Sequence, residues 1–341
     1  MYRVSNRLLT HVAVYVLFVL ILYFLLCDYS FFSLLDAERN RLLASNHTEM
    51  ASEYSVKLRM LPPLDHYVYL PLCRWFNTRF GISDIPGMCP NAVTLLHFVI
   101  AVCCGRYFAS TSLLQRRMAC VAFEIRSCLD VLDGVVYRAQ SKRYTFVSGW
   151  GSSGYVVDGL ADVFGSLFIM LGIVYRYNKC PPPKQPLKGA KQKQINDAES
   201  GKKLSSSSSS SSDSESMIAV ERHSRAYAIG LCAFVAVSVV ARSKTWDHFT
   251  HTYHTLLEVH TSTVSQRTQM DVLNYPSTWF CMWLWRIQSA DAFLTLTLII
   301  IFFDKLWQGV RISACVVIPN LIVIWGITHL HVVYVRDCLR M

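Results

Sequence analysis

The chain has 341 residues, of which 52% are hydrophobic and eight are Trp, and its formal net charge is +10; its mean hydropathy is +0.30. Several long apolar runs at that composition exclude a soluble two-domain enzyme and indicate a polytopic membrane protein. The excess positive charge sits mostly in loops between apolar runs, the pattern of the positive-inside rule and not of a basic face on a soluble domain, so no nucleic-acid partner is expected.

The first apolar run, 8–27, follows Arg3 and Arg7 and has no small-residue cleavage site after it. At about 20 residues it is long enough to span, so residues 1–27 are predicted to be an uncleaved signal-anchor helix. A polar segment over 28–83 carries the N-glycosylation sequon Asn46-His47-Thr48. Cys73 and Cys89 share one polar stretch, where a bridge is allowed if that stretch faces an oxidising lumen. Cys27, Cys103, Cys104, Cys120, Cys128, Cys232 and Cys315 lie in or beside apolar runs and behave as small hydrophobes.

The second run, 92–107, opens PNAVTLL, with Pro90 and Asn91 as a helix start. The third, 118–132, carries Glu124 and Arg126 and is expected to face protein and not lipid. The fourth, 154–175, contains Asp158 and Asp162. A linker over 178–222 follows, with CPPPKQPLKGAKQKQ and the tract Ser205 to Ser212, and its composition predicts disorder.

The fifth run, 226–241, leads into WDHFTHTYHTLLEVH, where His248, His251 and His254 recur every third residue. This stripe reads either as a second metal or headgroup site, or, preferred, as an interfacial helix with Phe249, Tyr253 and Leu257 toward lipid. The sixth run is 287–303 and the seventh 312–335, with a lumenal tail over 336–341. Asp291 is either a further cavity residue or the partner of Arg286, and Trp279, Trp283 and Trp285 are expected in an interfacial belt. The sum is an all-α polytopic membrane protein with an N-terminal anchor helix and a six-helix core over 84–335.

With the N-terminus in the cytosol, Arg106, Arg116, Arg117, Arg176, Lys179 to Lys203, Lys305 and Arg311 all fall on the cytosolic side. The same assignment places Asn46, Asp130, Asp133, Asp158 and Asp162 on the lumenal side. Asp130 and Asp133 are i, i+3 near the end of one helix, and Asp158 and Asp162 are i, i+4 at the start of the next, so each pair shares a face.

If those helices lie antiparallel, four carboxylates converge near one membrane surface. A carboxylate at lipid depth costs roughly 2.5–3.5 kcal/mol on insertion scales, and four anions repel one another. Divalent cations relieve both, and hard oxygen ligands suit Mg²⁺ or Mn²⁺; two such ions form a clamp for displacement at phosphorus. Gly134 and Gly154 leave room for close approach, and Arg138 offers a planar fork for phosphate. The plainer alternative has the acids neutralised by Arg126, Lys142 and Arg143. Four acids and two glycines at helical spacing favour the metal reading.

These residues resemble the CDP-alcohol phosphatidyltransferases, whose pattern is D-x2-D-G-x2-A-R-x8-G-x3-D-x3-D. Here it reads Asp130, Asp133, Gly134, Tyr137, Arg138, Gly154, Asp158 and Asp162, and the upstream Asn91 and Thr94 resemble the start of the family's first core helix. Tyr137 stands where the pattern has Ala, and fifteen residues separate Arg138 from Gly154. Both departures, with the extra anchor and the lumenal placement, are similar to the ceramide phosphoethanolamine synthase branch of invertebrates.

That resemblance implies transfer of phosphoethanolamine from CDP-ethanolamine to ceramide at a two-metal site holding Mn²⁺ or Mg²⁺, in the Golgi membrane with the active site in the lumen. It implies Asp130, Asp133 and Asp158 as metal ligands. Asp162 is implied as the general base and as a further residue of the same metal site. Gly134, Tyr137, Arg138, Gly154, Asn91 and Thr94 are implied to line the nucleotide and lipid site. Membrane lipids and a second copy of the chain, as a homodimer, are the further partners it implies. Two rivals stand beside it, a phosphotransferase acting on diacylglycerol and a divalent-cation transporter. The chain has no GxxxxGK[ST], GxSxG or HExxH and no GxGxxG in a strand context, which leaves triphosphatase, hydrolase, zinc-protease and Rossmann readings without support.

Overall fold

The computed structural model describes residues 2–44, 55–141, 153–184, 222–260 and 264–340. The Asn46 sequon, the connection at 142–152 and the Ser205–Ser212 tract lie outside the described residues. Among those described, the structure is helical, with one isolated bridge between Pro183 and Arg222. In chain order the helices are α1 (Tyr2–Ala44), α2 (Val56–Met60), α3 (Leu70–Phe80, entered through a π-helical turn at Asp65–Tyr69), α4 (Pro90–Phe108), α5 (Leu113–Ser141) and α6 (Ser153–Lys179). They continue with α7 (Arg225–Leu257), α8 (Gln266–Leu273), α9 (Pro276–Ile287), α10 (Ala290–Phe302) and α11 (Leu306–Leu339).

Six stretches among the described residues are long and apolar enough to cross a membrane: Leu17–Glu38, Pro90–Phe108, Val156–Lys179, Arg225–Leu257, Pro276–Phe302 and Leu306–Leu339. The protein is therefore an all-α polytopic membrane protein. The helix of the third run, α5, is not among them, because its charged residues dilute its apolar face; it packs against α4, α3 and α10 on one side and leaves Leu114, Met118, Val121 and Ile125 exposed on the other. The apolar stretch of α1 runs on past residue 27 through Phe31, Leu34 and Leu35. Residues 336–339 of the predicted tail continue α11, with Leu339 buried and Arg336 and Asp337 exposed.

Two hydrophobic cores follow from helix length. At 1.5 Å per residue, α7 with 33 residues and α11 with 34 extend about 50 Å, against about 30 Å of hydrocarbon. Their first halves join α4, α5, α6 and α10 in a bundle core built on Phe108, Phe123, Ile173, Cys232, Leu298 and Trp307. Their second halves run past it and enclose, with α2, α8 and α9, a separate core of Met60, Phe249, Tyr253, Val272, Met282, Trp285, Ile324 and Val335. We call this second layer the cap. Phe249, Tyr253 and Leu257 face the cap interior and not lipid, because α2, α8, α9 and α11 supply the apolar partners.

The tryptophans likewise do not form a belt. Trp285 is fully buried and donates to Thr328 Oγ1 (2.8 Å), and Trp283 donates to Asp28 Oδ2 (3.0 Å). Trp279 lies edge-on to Phe31, with ring centroids 5.5 Å apart.

Asp28 is what fastens α1 to the cap. It is buried, accepts from Tyr67 Oη (2.7 Å), and lies 2.9 Å from Nε of the fully buried Arg286. Arg286 also donates to Leu58 O and lies over the rings of Tyr67 and Phe31. The partner of Arg286 is therefore Asp28 and not Asp291. At the opposite end of the bundle Asp304 pairs with Arg116 (2.7 Å) and Arg176 (3.7 Å), which ties α5, α6 and the α10–α11 turn together.

The α4–α6 crossing depends on small residues. A Cβ on Gly105 would lie 2.8 Å from the Phe168 carbonyl oxygen, and one on Gly172 would collide with the carbonyl of Gly105. Close backbone approach of this kind is how helices associate where lipid offers no hydrophobic drive.

Breaking one side of a buried ion pair costs about 3–5 kcal/mol, because the remaining charge is left uncompensated. Asp28→Ala should therefore lower the melting temperature of the detergent-solubilised protein by several degrees, and Arg286→Met in the same chain should recover part of the loss. An unchanged melting temperature in Asp28→Ala would mean that α1 does not dock on the cap.

Candidate active site

The antiparallel pairing of α5 and α6 forms, and it delivers three of the four aspartates to one point. Asp130, Asp133 and Asp158 each place a carboxylate oxygen in a group of four ligand atoms that all lie within 4.8 Å of one another. The fourth member is His97 of α4, which the sequence reading did not single out. It lies one turn after Thr94 on the same face of α4, and that i, i+3 spacing was the signal available.

The helices set each side chain. Pro90 occupies the first position of α4, where its missing N–H costs nothing. The two turns that follow direct Thr94 and His97 at α5. Thr94 Oγ1 donates to Asp133 Oδ2 at 2.8 Å and fixes that carboxylate. Nε2 of His97 lies 3.5 Å from Asp130 Oδ1 and 3.6 Å from Asp133 Oδ2. Gly165, one turn after Asp162, leaves space for Arg126, whose Nη2 would lie 3.7 Å from a Cβ there.

Asp162 stands apart from the four-group cluster. Its Oδ1 is engaged by Arg126, a buried cation of α5 that also lies 3.9 Å from Asp130. The Asp162 side chain is 44% exposed and the Asp130 side chain 29%, so both open onto an accessible space at this end of the bundle. The like-charge crowding that the sequence predicts is thus met on one side by Arg126. On the other side Asp130 Oδ1 and Asp158 Oδ1 are buried without a hydrogen-bond partner among the described residues. Unpartnered buried carboxylate oxygens, with oxygen-rich neighbours and an imidazole beside them, are a donor set that fits a divalent cation.

The remaining predicted residues surround this cluster less closely. Gly134 lies beneath Arg138, whose Nη1 would be 3.3 Å from a Cβ at that position. Arg138 is exposed and within electrostatic reach of Asp133 and of Arg74 on α3, which adds a second guanidinium that the motif does not contain. Tyr137 is half-buried, and its hydroxyl has no hydrogen-bond partner among the described residues. Asn91 and Gly154 are exposed at the starts of α4 and α6.

The cap reaches this end of the bundle. Lys57 of α2 is within electrostatic reach of Asp158. Asp65, at the entry to α3, has its carboxyl held well above the usual range, first by desolvation and then by Asp291, Glu124 and Asp162. Glu124 accepts from Tyr69 Oη at 2.5 Å and so faces protein, as its place in a short apolar run predicts. Cys73 sits beside Cys128 of α5, with the sulfurs 3.6 Å apart, while Cys89 is exposed; the expected Cys73–Cys89 proximity does not form. His248 and His251 are exposed, and His254 Nδ1 lies 2.6 Å from Glu258, so the stripe does not converge on one point.

A family model described as ceramide phosphoethanolamine synthase matches residues 33–339. The chain is similar to the ceramide phosphoethanolamine synthase of Drosophila melanogaster, with 30% identity over 288 residues covering 83% of this chain and 69% of that protein. No solved structure matches it.

Proposed function

The chain belongs to the ceramide phosphoethanolamine synthase family, and on that footing we propose that it transfers phosphoethanolamine from CDP-ethanolamine to the primary hydroxyl of ceramide, releasing CMP. Membership makes it a phosphotransferase that works on lipid in a membrane. The observation that carries the finer reading is the meeting of Asp130, Asp133 and Asp158 at one point beside an exposed aspartate held by arginine.

In this reading the hydroxyl oxygen of ceramide attacks the phosphorus that bears ethanolamine, and the bond from that phosphorus to the CMP oxygen breaks. Asp130, Asp133 and Asp158 would hold the divalent cations, which when bound would supply neutralisation of the diphosphate and of the charge on departing CMP. Asp162 takes the proton from the ceramide hydroxyl. It suits that role because it lies outside the metal-binding group, is exposed, and is kept in place by Arg126. Thr94 orients Asp133. Arg138, with Arg74 behind it, faces the phosphates as a fork, and Gly134 lets that fork lie flat on α5.

We assign the cluster and the cap to the lumenal side of the Golgi membrane, with the N-terminus in the cytosol. Support comes from charge: the end of the bundle opposite the cluster carries Arg116, Arg117, Arg176 and Lys305, as the positive-inside rule requires of a cytosolic face.

Purified protein given CDP-ethanolamine and ceramide should release CMP, and exhaustive chelation should stop it until Mn²⁺ or Mg²⁺ is returned. Release with diacylglycerol in place of ceramide would assign the acceptor differently, and release with neither would leave a transporter. Asp162→Asn should cut the rate by roughly 10²–10⁴-fold, the usual worth of a positioned base, while divalent-cation binding persists; near-normal turnover would remove Asp162 from proton transfer. An endoglycosidase should shift the mobility of the cell-expressed protein and leave Asn46→Gln unmoved. A protein that never carries glycan at Asn46, even with the sequon intact, would count against the lumenal assignment.

A further inference from the structure

His97 is the one member of the cluster that neither the aspartate motif nor the reaction above employs. Its ring is fully buried, and neither ring nitrogen has a hydrogen-bond partner among the described residues. The neighbours of Nε2 are carboxylate oxygens of Asp130 and Asp133, at 3.5 and 3.6 Å. Both separations are too long for a hydrogen bond. An unmade hydrogen bond at a buried polar group is destabilising, and here two ring nitrogens and Asp130 Oδ1 are left in that condition together.

A cation between them removes the problem at Nε2 and Oδ1. Neighbouring donor atoms held at about 2.0–2.2 Å from a common ion stand about 3–3.5 Å from one another, close to the two separations found at Nε2. We propose that Nε2 of His97 is a direct ligand of the divalent cation, alongside Asp130, Asp133 and Asp158. The inference rests on the metal reading given above, and it changes the donor set from oxygen alone to oxygen with one nitrogen.

Two consequences follow from ligand chemistry. Imidazole suits first-row transition cations and is a poor ligand for Mg²⁺, so His97 biases the site toward Mn²⁺ or Co²⁺. The group of four does not include Asp162, which leaves that carboxylate to Arg126 and to proton transfer.

The test reads the metal and not turnover. The full-length protein in detergent, loaded with less than one equivalent of Mn²⁺ and no nucleotide or lipid, is measured by pulsed electron paramagnetic resonance. The spectrum should contain the ¹⁴N coupling of a bound imidazole, converted to the ¹⁵N pattern when histidine is ¹⁵N-labelled. His97→Gln should abolish that coupling and weaken Mn²⁺ binding by about tenfold or more, with a smaller loss for Mg²⁺. Asp130→Asn combined with Asp133→Asn removes both carboxylates beside Nε2 and should abolish the coupling as well, which keeps the assignment testable if His97→Gln does not fold. A nitrogen coupling that survives in His97→Gln or in the double variant would belong to another histidine and overturn the proposal. Saturable Mn²⁺ binding with no nitrogen coupling would reject His97 as ligand and leave the metal reading standing. No saturable Mn²⁺ binding by the unaltered protein would reject both.

Discussion

Like-charge crowding is the constraint on which this structure turns. Three carboxylates and an imidazole share a point less than 5 Å across, with a fourth carboxylate nearby. Such an arrangement is costly in a medium of low dielectric, and nothing about a helix bundle makes it form spontaneously. It exists because the backbone packing imposes it. The glycines of the α4–α6 crossing allow the two helices to touch, and α5 lies against α4. Thr94, His97, Asp133 and Asp158 are then delivered by three rigid elements and have little freedom to move apart.

The cap is the second condition. A site at the end of a bundle is open to water, and water screens the charges that give such a site its use. Here α7 and α11 are too long to stop at the hydrocarbon boundary, and their outer halves become walls of a second core. That core cannot be supplied by α7 and α11 alone. It needs α2, whose Arg59 is fully buried and donates to the Leu273 carbonyl and to Asn274 at the end of α8. It also needs α1, held by Asp28 against Arg286. The N-terminal helix is therefore part of the fold and more than a tether, and through Lys57 the cap brings charge to the edge of the site.

The sequence made the aspartate pairs legible because i, i+3 and i, i+4 spacing is a property of any helix, whatever surrounds it. Helical class and membrane character were legible for the same reason: hydropathy integrates over many residues. The cap was not. Hydropathy reports that Phe249, Tyr253 and Leu257 avoid water, but lipid and protein interior are equally apolar, and only the fold says which one receives them. Asp28 was hidden by the opposite error, since an acid at the end of an apolar run reads as the end of a span when it is a buried partner for a distant arginine. His97 was hidden because a lone histidine on an apolar face carries no signal until its neighbours across the helix interface are known. The connection over 142–152, where the spacing departs from the CDP-alcohol phosphatidyltransferase pattern, lies outside the described residues.

The separation of Asp162 from its three companions bears on how a cluster of identical groups divides its labour. Four equivalent carboxylates around cations would all serve as ligands, and none would remain to accept a proton. Arg126 breaks that equivalence. It is buried on the same helix as Asp130, reaches Asp162 directly, and leaves Asp130 at a distance too long for a hydrogen bond. One fixed guanidinium thus holds one carboxylate aside by position alone. In the proposed donor set, Nε2 of His97 stands where a fourth carboxylate would otherwise sit, so Arg126 can hold Asp162 without reducing the number of side chains that meet at the cluster.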